Sequence, residues 1–214
     1  MRALSVIGLS IRDFYEEMFL FVPLNLLWWL TFILVIPLAP ATAGLCYLGH
    51  RIAHEQRVDS GFFKEAFKGF FWPSLKIGVL NIFILITFSL NLWFYARVEG
   101  WLRFIAILWI YALILWAAAQ LYLFPLLFEQ QEPKVLMVLR NAAVLVLAQP
   151  LFTLGVGVLA LLLTAICFAL PVLAVLIWPG LMALIGTRAL ASVLEQARAM
   201  AEKQKKDDQE GKGQ

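Results

Sequence analysis

The sequence predicts an all-α membrane protein of about five transmembrane helices, with amphipathic helices lying at the cytoplasmic interface. Three observations predict it. Of 214 residues, 63% are hydrophobic and 14% are charged, whereas a soluble domain carries roughly a quarter charged residues. Apolar runs long enough to cross a bilayer recur along the chain. Basic residues gather on alternate connections between those runs, as the positive-inside rule requires.

The chain opens with "MRALSVIGLSIRDFYEEMFL". Asp13, Glu16 and Glu17 stand where a cleavable signal peptide would be apolar, so the first span is expected to stay attached. That span is Phe19 to Leu38, with Asn25 as its strongly polar residue. Tyr15, Trp28 and Trp29 are candidate anchors of its flanks, although the two tryptophans lie deep for an interfacial belt.

"IPLAPATAGLCYLGHR" follows, from Ile36 to Arg51. Pro37, Pro40, Thr42 and Gly44 read as a packing joint. Proline suits a helix's first turn, and small residues let another backbone come close. "PGLMALIGTR", Pro179 to Arg188, is a similar phrase late in the chain. Next, "VDSGFFKEAFKGFFWP" reads as an interfacial helix capped by Asp59 or Ser60. Phe63 and Phe67 lie on one face, Lys64 and Lys68 on another. Two readings of the phenylalanines stand together: insertion at the acyl boundary, or packing under the bundle.

The second span is about Pro73 to Tyr95, "ARVEG" is a turn, and the third span is about Trp101 to Leu127. A second amphipathic helix is expected to begin at Pro133. Pro73–Gly78 and Pro150–Gly155 share a spacing, a weak sign of a parallel repeat. From Arg140 to Gly186 the chain is apolar for long enough to make two spans, with the turn placed at Ala169–Pro171. Residues 1–190 form one polytopic domain and 191–214 a charged cytoplasmic tail. With the N-terminus outside and the C-terminus inside, Arg2, Arg12, Arg97 and Arg103 fall outside. The other basic residues, Arg188 and Arg198 among them, fall inside.

Charge in the middle of a span marks transport and proton paths, and none occurs here. The buried polar set is amide and hydroxyl. Asn25, Asn81, Gln120 and Gln149 either line a path for a neutral solute or bond helix to helix. The second reading is preferred. Cys46 and Cys167 read as small buried hydrophobes. His50 and His54, four apart, could begin a metal site. The zincin order is absent and no third ligand is evident nearby, so an Arg51–Glu55 pair on a surface helix is the plainer reading. No nucleophile–base or phosphate-loop motif occurs. No catalytic residue, metal or cofactor is expected, and no nucleic-acid partner.

"NLLWWLTFILVIPLAPATAGLCYLGHR", "FFKEAFKGFFWPSLKIGVL" and "LRNAAVLVLAQPLFTLG" together resemble the YesL-like family of bacterial integral membrane proteins, whose function is unknown. Where that pattern often carries Thr-Gly before "PATA", this chain has Leu38-Ala39. The resemblance implies a multi-pass protein of the bacterial inner membrane with an accessory or regulatory part in carbohydrate uptake. Its partners would be the lipid bilayer, a sugar transporter or sensor component, and in an oligomer a second copy. A small permease or channel for a neutral solute is the alternative.

Overall fold

The computed structural model describes residues 2–130 and 134–211. All regular structure among them is helical. Pro133, the expected start of the second amphipathic helix, lies outside the described residues.

Helix α1 (Arg2–Glu16) is amphipathic. Val6, Ile7, Ser10, Asp13 and Phe14 recur at three- and four-residue steps and are buried. A 95° bend separates α1 from α2 (Met18–Leu34). Helix α2 is apolar all round, so its inward stripe is marked by polarity as well as size: Phe21, Leu24, Asn25, Trp28 and Thr31 are buried. It stops at Val35, whose φ of 62° puts a β-branched residue in the left-handed region. The predicted first span therefore ends four residues early, and the chain turns into α3 (Leu38–Ala53).

Helix α4 (Ser60–Gly69) is capped as expected: the Asp59 carboxylate accepts from the Gly61 N–H at 2.6 Å. Then come α5 (Phe71–Arg97), a 3-10 turn at Trp101–Phe104, and α6 (Ile105–Leu123). Short α7 (Leu126–Glu129) and α8 (Val135–Ala148) follow. Helix α9 (Pro150–Ala169) ends at the predicted place, because Pro171 disfavours a helical Leu170. The rest of that region is not one helix. Short α10 (Pro171–Leu176) breaks at Ile177, and α11 (Trp178–Gly211) runs without interruption past residue 190, with Val193 buried.

Three of these segments are long and apolar enough to cross a membrane: Phe71–Arg97, Trp101–Leu123 and Pro150–Ala169. The bent pair α1–α2 makes a fourth if it counts as one span.

Helix α11 packs most extensively on α3 and α1, and polar groups latch three further helix pairs. Across the α2–α3 turn, Trp28 Nε1 donates to Thr42 Oγ1 at 2.9 Å. Across the α9–α11 turn, Trp178 Nε1 donates to Thr164 Oγ1 at 3.0 Å. Both pairs are fourteen residues apart in sequence. Across the α5–α6 turn, Asn81 and Gln120 exchange two amide hydrogen bonds of 3.0 Å.

Arg188 Nε donates to Asp13 Oδ2 at 2.7 Å, and Arg2 Nη1 donates to Gln196 Oε1. Helix α1 thus lies along α11. Arg12 and Arg188, expected on opposite sides, are brought near each other, since Asp13, next to Arg12, is bonded to Arg188. The cause is the bend at Glu17, which folds α1 back against α11 before α2 enters the bundle.

Candidate functional site

Between α3, α6, α9 and α11 lies a cavity of about 480 Å³. Its wall includes Trp28, Thr42, Gln120, Thr164, Trp178 and Met182. The polar atoms there already have partners. Thr42 Oγ1 accepts from Trp28 and donates to the Leu38 carbonyl at 2.9 Å. Thr164 Oγ1 accepts from Trp178 and donates to the Ala160 carbonyl at 2.8 Å. Gln120 is held by Asn81. With its hydroxyls and amide spent internally, the cavity offers a ligand apolar contact. Its named side-chain hydroxyls and amide are therefore not free to read a sugar's hydroxyls.

The four amides do not converge. Asn25 is fully buried, and its Nδ2 donates to the Leu176 carbonyl at 2.6 Å, tying α2 to α10. Asn81 and Gln120 join α5 to α6, and Trp116 Nε1 adds a third bond to Asn81 Oδ1 at 2.9 Å. Gln149 stands at the break between α8 and α9, where its backbone carbonyl accepts from Thr153 N–H. Asn25, Asn81 and Gln120 thus each bond to another helix, while the Asn25 Oδ1 is buried without a hydrogen-bond partner.

The packing joint is built as a close crossing. Pro37 is the N-cap of α3, and Pro40 is buried in its first turn. A Cβ on Gly44 would stand 2.6 Å from Phe63 Cε2. Phe63, only 3% exposed, thus packs against α3. Phe67 is half-buried and stacks on Phe63 with ring centroids 6.2 Å apart, within the range of favourable aromatic pairs. Lys64 and Lys68 are exposed on the opposite face. Of the two readings of this helix, packing under the bundle describes Phe63. Trp28, which is buried, and Trp29, which is partly buried, form an aromatic cluster with Trp178 and the exposed Phe32.

His50 and His54 are brought together, with ring centroids 4.3 Å apart. Helix α3 ends at Ala53, so Glu55 leaves the helix with φ 56°. Arg51 therefore does not reach it. Instead Arg51 Nε donates to the Arg57 carbonyl at 3.1 Å, and its guanidinium lies 3.7 Å above the Phe62 ring. What the sequence did not signal is Glu129, delivered from α7. Its Oε1 is 3.4 Å from His50 Nδ1. Burial, His54 and Arg51 push the His50 pKa down against the pull of Glu129, so the ring is neutral near pH 7.

Residues 21–92, from within α2 through most of α5, match the model of a family described as a protein of unknown function, DUF624. No curated protein and no solved structure matches the chain.

Proposed function

We propose that the protein is a non-enzymatic component of a bacterial inner membrane that works by contact with a partner, as an accessory or regulator of carbohydrate uptake. One observation carries the contact role: Asn81 and Gln120 are spent on bonds to each other, the Asn25 Nδ2 is spent on the Leu176 carbonyl, and the cavity between α3, α6, α9 and α11 is apolar. That arrangement favours a rigid scaffold over a conduit for a polar solute. The carbohydrate element rests on the YesL-like resemblance of "PATAGL" and "FFKEAFK". In this reading both ends of the chain face the cytoplasm. If α2 and α3 enter and leave the membrane on that side and α5–α6 crosses it as a hairpin, Arg2, Arg12, Arg51, Lys64, Lys68 and Arg188 share the cytoplasmic side and Arg97 and Arg103 lie outside, in keeping with the positive-inside rule.

Two measurements test it. Full-length protein extracted from its own membrane in mild detergent should co-purify with a transporter or sensor subunit, and deletion should slow uptake of at least one sugar. Isolation alone, with uptake unchanged, defeats the proposal. Cysteines placed near the two ends should be protected together from an impermeant thiol reagent in intact cells, and labelling of one end only rejects the orientation.

A further inference from the structure

We propose that His50, His54 and Glu129 form a binding site for a divalent transition-metal ion, with zinc the best match. One ligand atom from each of the three residues lies within 4.8 Å of the other two. His50 Nδ1 and Glu129 Oε1 are 3.4 Å apart. That is the edge of a tetrahedron whose metal–ligand bonds are about 2.1 Å long, the zinc–nitrogen and zinc–oxygen range.

The second shell agrees. His54 Nδ1 is 2.8 Å from the His50 carbonyl. A carbonyl only accepts, so Nδ1 must carry the proton, and this leaves the Nε2 lone pair free. A histidine that donates one ring N–H to a backbone carbonyl while offering the other nitrogen is the usual arrangement of a metal ligand. Arg51 does not compete for the site, being held by Arg57 and Phe62.

Two imidazoles and one carboxylate are a borderline ligand set that suits zinc over magnesium or calcium. Three protein ligands leave a fourth position for water. Because His50 and His54 belong to the end of α3 and Glu129 to α7, the ion would clip these two elements together. The inference is independent of the partner-contact role proposed above.

The test uses the full chain, carrying an affinity tag without histidines, stripped with a chelator in detergent and equilibrated with Zn²⁺. One zinc per chain should survive gel filtration, and Co²⁺ should give the intense visible bands of four-coordinate cobalt. His50→Ala, His54→Ala and Glu129→Gln should each weaken binding by at least the roughly tenfold that loss of an outer-shell partner costs. Glu55→Gln, a neighbouring carboxylate outside the cluster, should bind as the unaltered protein does. His54 is exposed and Glu129→Gln keeps its shape, so these two variants decide the matter even if His50→Ala fails to fold. Substoichiometric zinc, or stoichiometric zinc retained by both of those variants, overturns the assignment.

Discussion

Replacing Gly186 by alanine tests how tightly α6 and α11 are joined. A Cβ built there stands 2.6 Å from the Leu121 carbonyl oxygen. The obstacle is backbone, so no side chain can rotate away. Pro125, four residues after Leu121, has no N–H to return to that carbonyl. This leaves the oxygen facing Gly186, where a Cα–H contact can partly serve it. Ordinary contact begins at 3.4 Å, so one helix must retreat by about 0.8 Å, and overpacking of this kind costs about 1–3 kcal/mol. Against that stands the gain of about 0.5–1 kcal/mol from replacing a helical glycine. The net expectation is a loss of about 0–2.5 kcal/mol. Gly157 in α9 is the control, because a Cβ there meets nothing within 4 Å, and Gly157→Ala should gain about 0.5–1 kcal/mol. Unfolding by SDS in mixed micelles, followed by far-UV circular dichroism, should bracket the unaltered protein between the two variants. A Gly186→Ala midpoint at or above that of Gly157→Ala would refute the close approach of α6 and α11.

Asn81→Leu should cost about 1 kcal/mol in the same assay, since it strands the Gln120 amide and the Trp116 N–H, and the Asn81→Leu/Gln120→Leu pair should cost less than the two single changes added together. Asp13→Ala should lose about 3–5 kcal/mol, because it leaves Arg188 without the 2%-exposed carboxylate it donates to; unchanged stability would detach α1 from α11. Glu55→Gly should stabilise by about 1 kcal/mol, measured as a raised unfolding midpoint. Its basis is the end of α3, where Gln56 N–H returns to the Arg51 carbonyl and Glu55 N–H to the Ile52 carbonyl, with Glu55 in the left-handed position that favours glycine.

The sequence showed best what depends on local punctuation. Pro150 and Pro171 bracket α9, Asp59 caps α4, and the "ARVEG" turn ends α5, because each acts on its own backbone. It showed less where tertiary contact decides. Nothing at Glu17 marks a 95° bend, since neither glycine nor proline stands there. The phenylalanines of α4 have the spacing of a lipid-facing helix, and only the glycine at position 44 of another helix turns Phe63 inward. The histidine pair was visible, but its carboxylate was not, because Glu129 reaches it from beyond three intervening helices. Of the candidate site, the residue types were legible and their pairing was not: Asn81 and Gln120 meet only because α5 and α6 fold about Gly100.

The two similar phrases, one starting α3 and the other α11, explain how such an apolar bundle keeps a fixed arrangement. Lipid tails are as apolar as leucine, so leucines alone do not tell one helix which neighbour to choose. Small residues do, by letting backbones approach. A Cβ on Gly49 of α3 would stand 2.7 Å from Thr187 Oγ1 of α11, and one on Gly180 would stand 2.6 Å from Phe21 of α2. Charges then fix the ends: Arg188 follows Thr187 and holds Asp13, while His50 follows Gly49 and faces Glu129. The chain between Asp13 and Arg188 therefore begins and ends at one ion pair, and within it the Trp28–Thr42 bond lays α3 back along α2, so the turn at Pro37 is a packed joint of the bundle.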